Sequence, residues 1–174
     1  MIAAVVLAAG AATRFGSPKQ RLLLPDVLHA LGASCVDDVV VVAGAYPLEI
    51  DARVVQCAAW QRGPGASLHC GLEALPEETE AAVVVLADGP HLSPAAVDRV
   101  VQAWRTGTGD VVAASYEGVR GHPILLDRAV WPQVPDEGAR ALEPVLVACD
   151  DLGAPGDVDF ADDVPGTLRE EISE

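Results

Sequence analysis

Residues 2–20 read IAAVVLAAGAATRFGSPKQ, an apolar run that passes directly into a polar turn containing glycine. Ile2 to Leu7 carry no polar side chain, and a short apolar run bounded by small residues suits a strand buried on both faces. The turn that follows gathers scarce residues: Arg14, Lys19 and Arg21 are three of the 11 basic residues, set against 26 acidic ones. Gly10 and Gly16 permit close backbone approach, and successive N–H groups in such a turn form a concavity for anions. Arg14 can fork onto phosphate oxygens, and Lys19 can supply a point charge. The segment therefore suits a polyphosphate, with a solvated surface loop as the competing reading. It is neither a P-loop nor a dinucleotide fingerprint, because the Gly10–Gly16 spacing is wrong and Ser-Pro-Lys follows Gly16 where Lys-Ser/Thr is required.

The chain has 174 residues, 51% of them hydrophobic, which predicts one domain over residues 1–174 with a sizeable core. A formal net charge of -15 repels a nucleic-acid backbone, so a local cationic segment points to a small anionic ligand. No apolar run is long enough to cross a bilayer, and the start MIAAVVLAAG lacks the basic n-region of a signal peptide. The expected location is cytoplasmic. Cys35, Cys57, Cys70 and Cys149 form no CxxC pair and are expected to be buried free thiols.

Strands are predicted at residues 2–7, 39–42, 53–56, 83–86 and 110–114 from their β-branched content. Helices are predicted at 25–31, 67–75, 94–104 and 136–147, the third opened by Ser93 and Pro94 and the last interrupted by Pro144. The tail LREEISE reads as a short or frayed helix. Alternating strands and helices imply an α/β fold: three layers, a mostly parallel sheet and helices on both faces. Ligands in such folds sit beyond the carboxyl ends of the strands. The loops at 8–20, 62–67 and 87–93 should meet there.

The stretch LAAGAATRFGSPKQ resembles the LAAGxSxRxGxxKQ signature of the MobA-like nucleotidyltransferases, above all the molybdenum cofactor cytidylyltransferase branch. The resemblance implies a Rossmann-like nucleotidyltransferase fold that binds an NTP with this loop. Leu7, Ala8, Ala9 and Gly10 would then lie along base and ribose, and Arg14 and Lys19 would hold the phosphates. Ala12 departs from the family, which usually has Ser or Gly there.

Further motifs follow in the family's order. GPGASLHCGLEAL resembles a segment that contacts base and sugar, which implicates Gly65 and Ser67. From the residues themselves it is equally a glycine-rich helix start with Ser67 as N-cap. Arg62 beside it is either a site cation or solvated, and Trp60 is more often core than a ligand platform. VVVLADGPHLSP resembles the family's metal-binding LGDQPLVxP, with Asp88 as the ligand. Mg²⁺ takes one or two protein carboxylates and shares phosphate oxygens with its substrate, whereas an Asx turn before Gly-Pro is the structural alternative. GHPILL resembles GHPVLF and places His122 near the acceptor, and a structural turn histidine is the alternative. DEGAR matches GDxGAR, in which Arg140 serves either the acceptor or a salt bridge with Asp136. GDVDFADDV resembles DIDTPEDL, with Asp157 and Asp159 alternating to one side of a short strand, one of them a second metal ligand. The regions after LLLP and after DEGAR are shorter than in the family.

The implied activity is Mg²⁺-dependent transfer of CMP from CTP to molybdopterin with release of pyrophosphate. The LAAG form, where guanylyltransferase relatives more often carry LAGG, and the space that Ala9 would deny a purine both favour CTP. A GTP-using enzyme, or one acting on another small phosphorylated acceptor, is the alternative within the class. A non-catalytic nucleotide- or cofactor-binding delivery protein, with a molybdoenzyme as partner, is the alternative outside it.

Overall fold

The computed structural model describes residues 1–10 and 20–156. Among these, seven strands form one sheet: β1 (Ile2–Ala8), β2 (Asp38–Ala43), β3 (Arg53–Gln56), β4 (Ala81–Leu86), β5 (Val111–Tyr116), β6 (Val119–Asp127) and β7 (Val145–Ala148). The order across the sheet is β3-β2-β1-β4-β6-β5-β7. β1, β2, β3 and β4 pair in parallel, as do β5 and β7, and β6 runs antiparallel between β4 and β5. Three α-helices pack on the sheet: α1 (Gln20–Gly32), α2 (Pro64–Glu73) and α3 (Pro94–Arg105).

The apolar runs are continuous because both sheet faces are buried. Ile2, Ala4, Val6 and Ala8 of β1 face α1 and α3, meeting Leu24, Val27, Val97 and Val100. Ala3 and Val5 face the other way, toward Leu68 and Leu72 of α2 and toward Trp131. This period of two with apolar residues on both faces is what a central parallel strand requires. Gly71 lets α2 lie directly on the sheet, since a Cβ there would stand 2.5 Å from Val5 Cγ1 and 2.8 Å from Val42 Cγ2.

All five expected strands are present. α1 begins before the expected residue 25 and keeps Pro25 inside, because Leu23, Leu24, Val27 and Leu31, all fully buried, outweigh one lost backbone bond. α2 starts at Pro64 with Gly63 as its cap, so Ser67 is a buried residue inside the helix and not its N-cap. Proline at the first helical position and Gly63 in a positive-φ conformation that glycine favours (φ 134°) move that start upstream. α3 begins at Pro94 as expected, although the Ser93 side chain makes no cap bond.

The helix expected over 136–147 does not form. Gly138 (φ 82°) breaks the chain direction, a 3-10 turn spans Ala139–Ala141, and after Pro144 the run Val145–Ala148 pairs with β5 as a strand. The tail and the acidic strand bearing Asp157 and Asp159 lie outside the described residues.

The expectation of four free thiols is also corrected. Cys35 and Cys149 are free, but Cys57 and Cys70 form a disulfide with Cα atoms 5.8 Å apart. Cys57 follows β3, its amide donating to the Ala43 carbonyl (2.8 Å), and the chain returns at once into α2, which packs over β2. That return brings two cysteines of unremarkable spacing together. Cross-linking across a loop of this size restricts the unfolded chain by about 3 kcal/mol. Urea unfolding with and without dithiothreitol should therefore show a stability loss of about that size on reduction. A C57S/C70S variant should be insensitive to the reductant.

Candidate active site

The β1–β4 pairing sets the geometry of the site. Leu7 stands opposite Leu86, and the Ala87 amide donates to the Leu7 carbonyl (3.1 Å). Ala8, Ala9 and Gly10 therefore leave the sheet beside Asp88, at the carboxyl ends of neighbouring strands. Gly10 is exposed, and Asp88 is half-buried just past β4. Arg14 and Lys19 lie outside the described residues.

Ala9 is buried at 7% exposure and lies against Gly44, where an added Cβ would stand 2.8 Å from the Ala9 methyl and 2.7 Å from Trp60 Cβ. The methyl is thus used in packing the end of β2. The expectation that it narrows the nucleotide pocket against purines finds no support in this packing.

β6 reaches the same rim from the opposite direction. Two residues beyond the Val84–Ile124 pair stand Leu86 on β4 and His122 on β6. The hairpin that starts β6 turns through Glu117 (φ 53°) and Gly118 (φ 76°), a left-handed pair suited to the strand twist. Tyr116 donates its hydroxyl to the His122 carbonyl (2.9 Å), and Gly121 lies under the Tyr116 ring, where a Cβ would come within 2.9 Å of it. The His122–Pro123 peptide is cis.

Burial lowers His122 to about 4; the Arg120 charge adds to the effect and the nearby Asp88 carboxylate opposes it. His122 is therefore a neutral imidazole at neutral pH. Burial likewise pushes the Tyr116 phenol up to about 12, so it remains a donor.

A cavity of about 510 Å³ opens between the ends of β4, β5 and β6. Its walls are apolar where Val85, Leu86, Leu92, Tyr116 and Pro155 line it, and polar at Arg120 and His122. Gly89 admits the segment at 154–156: a Cβ on it would stand 3.1 Å from Pro155, and the His91 amide donates to the Pro155 carbonyl (2.9 Å). Gly156, the residue before Asp157, is thereby held against the loop that carries Asp88. The volume falls in the range of small-molecule sites.

Gly65 is tied to Asp136, at the start of the turn that carries Arg140. The Gly65 amide donates to the Asp136 carbonyl (2.9 Å), and a Cβ on Gly65 would collide with the Pro135 carbonyl. Arg62 pairs with Asp136 (3.2 Å), both side chains exposed, so Asp136 has Arg62 and not Arg140 as its partner. With one amide at the α2 start already used, fewer donors face a ligand there than the sequence suggests. Arg140 is exposed, and its carbonyl accepts a bond from the Arg120 guanidinium. Sequence reasoning missed Arg120, Tyr116 and the cavity wall at Leu86 and Leu92. The Tyr-Glu-Gly-Val turn between two apolar runs was the available sign of the hairpin.

Among the described residues no group of three His, Cys, Asp or Glu side chains could hold a metal on its own. One hard carboxylate at a strand end still fits Mg²⁺, which shares its coordination with phosphate oxygens and water.

Comparison with known proteins agrees with this architecture. The chain matches the MobA-like NTP transferase domain model over residues 4–150. It is 35% identical over 130 residues to the bifunctional protein GlmU of Corynebacterium aurimucosum, a match covering 63% of this chain and 26% of that one. The chain thus corresponds to about a quarter to a third of the length of the curated relatives it matches. Rv0371c from Mycobacterium tuberculosis superimposes with a TM-score of 0.75 at 25% identity, over 99% of this chain and 98% of that one. The same protein has been solved in complex with manganese (TM-score 0.64, 23% identity, 84% and 88% covered). A nucleotidyl transferase from Methanothermobacter shares the fold (TM-score 0.71, 19% identity, 99% and 98% covered). With the family model matched over most of its length and the strand-end rim built as described, the chain belongs to the MobA-like NTP transferase domain family.

Proposed function

We propose that this protein is a nucleotidyltransferase that transfers CMP from CTP to molybdopterin and releases pyrophosphate. The observation that carries the reading is the Ala87–Leu7 hydrogen bond (3.1 Å), which fixes Asp88 beside the end of β1, with the 510 Å³ cavity opening next to both. A nucleotide held along Leu7–Gly10 would then present its triphosphate toward Asp88, and an acceptor in the cavity would approach from the β6 side.

The reaction needs little proton chemistry. A phosphate-monoester oxygen of the acceptor forms a bond to the α-phosphorus, the α–β bridging P–O bond breaks, and its electron pair leaves with pyrophosphate. The nucleophile is anionic near neutral pH, so alignment and charge neutralisation carry the catalysis. Arg14 and Lys19 hold the phosphates in this account. Asp88 would hold Mg²⁺, and Asp157 or Asp159 would supply a second carboxylate, a reading supported by the docking of Gly156 against the Asp88 loop. The cation would neutralise phosphate charge and serve as a template. Neutral His122 and the apolar walls exclude water from the acceptor side. The preference for CTP rests on the LAAG form alone, given where the Ala9 methyl packs. We also assign the protein to the cytoplasm. None of its described helices is long and apolar enough to cross a membrane.

Three outcomes test this reading. In a pyrophosphate-release assay with CTP, Mg²⁺ and molybdopterin, K19A and D88N should each lower turnover by about 10²–10³ with little change in melting temperature. Equal turnover in either variant would remove that residue from the site. In thermal-shift titrations with Mg²⁺ present, CTP should raise the melting temperature more than GTP does; the reverse order would reassign the nucleotide. The His122 ring should titrate near 4 by NMR, against an ordinary value of 6.5. Its folded-state value is depressed, so its contribution to stability is full above pH 6.5 and is lost as pH falls toward 4. H122Q should therefore flatten the fall in stability over that window, and an unchanged profile would contradict the buried neutral imidazole.

A further inference from the structure

The segment at residues 134–142 runs from α2 to Arg120 of β6, with Val134 and Ala139 buried in the core beneath it and polar bonds to other elements at its two ends. At the α2 end, His69 Nε2 bonds the Val134 carbonyl (2.9 Å), Gly65 donates to Asp136 (2.9 Å), and Arg62 pairs with Asp136 (3.2 Å). Its middle is held by local turns, Gly138 donating to the Pro135 carbonyl (2.8 Å) and Ala141 to the Gly138 carbonyl (3.1 Å). At the other end, among the described residues, one side chain makes the hydrogen bonds, and Leu142 packs against the core. Arg120 of β6 donates from Nη1 to the Leu142 carbonyl (2.9 Å) and from Nη2 to the Arg140 carbonyl. The same guanidinium lines the cavity.

Two carbonyls two residues apart match the rigid fork of Arg, which a single ammonium cannot span in the same way. No carboxylate among the described residues pairs with Arg120. Its bonds to described residues go to neutral backbone acceptors, an arrangement that fixes backbone.

We propose that Arg120 is a positioning residue for the acceptor: its fork joins residues 140–142 to β6, and the same bonds hold the start of β6, where Arg120, Gly121 and His122 line the cavity, against the strap braced on α2. The kinetic part of this rests on the transferase reading above. The α2 end keeps its own three fasteners, so losing Arg120 loosens the join between residues 140–142 and β6. Acceptor binding should suffer and nucleotide binding should not.

The test uses the full chain with R120M, which removes every donor, and R120K, which keeps the charge and loses the fork. Hydrogen exchange without substrate is read first. In both variants the Ala141 and Leu142 amides should exchange about tenfold faster while β1 and β4 amides stay protected. Kinetics follow with CTP, Mg²⁺ and molybdopterin. Both variants should raise the acceptor KM about tenfold, the scale of a lost charge-assisted bond, and leave the CTP KM unchanged. Wild-type behaviour in R120K would overturn the proposal, because charge alone would then suffice. A rise in both KM values together with a lowered melting temperature would also overturn it, as a purely structural effect. If the wild type releases no pyrophosphate with molybdopterin, the proposed reaction fails. The exchange arm still decides on Arg120, and unchanged exchange at Ala141 and Leu142 refutes the pinning.

Discussion

The pairing of β1 with β4 is the constraint on which the rest depends. These two strands are distant in sequence, yet their parallel register sets Leu7 against Leu86 and continues one hydrogen bond past the sheet, to Ala87. A slip of one residue would exchange the two buried faces of β1, driving Ala3 and Val5 toward α1 and α3. The apolar pattern therefore fixes which loop atoms stand beside Asp88. Packing in the core, and not any contact in the loops, places the chemistry at one rim.

β6 then gives the rim its second half. Because it runs against its neighbours, its first residues arrive where the other strands end, and Arg120 and His122 join a site built otherwise from strand ends. The tight hairpin from β5 permits this reversal without a crossover. Close backbone approach completes the frame. Gly65 accepts the chain at Pro135 and Asp136 where no side chain would fit, and Gly71 lets α2 settle onto Val5 and Val42.

Much of this was legible in the residues. The apolar runs at 2–7, 39–42 and 83–86 are strands buried in the sheet, and the β-branched content of 53–56 and 110–114 marks β3, which is only partly covered at the sheet edge, and β5. β6 is absent from the strands predicted by β-branched content, because Gly121 and Pro123 weaken the strand signal of residues 119–127. The run at 136–147 has helix-compatible spacing, but Gly138 and Pro144 break it, and the edge of the sheet takes Val145–Ala148. Ser67 looked like a cap because its type favours that role, yet Pro64 opens the helix earlier. The Cys57–Cys70 pair had no local signature, because it follows from how β3 folds back onto α2. In the same way the Ala9 methyl, read as pointing at a ligand, is turned against Gly44 by the end of β2.

Crystals of the protein soaked with CTP and Mn²⁺ and measured at the manganese edge would locate metal and nucleotide together. If Asp88 holds the cation at the β1–β4 rim, an anomalous peak will be shared by its carboxylate and the triphosphate, with Lys19 on the same phosphates and the base along Leu7 to Gly10. A triphosphate and metal seated away from Asp88, at another face of the sheet, would contradict that placement.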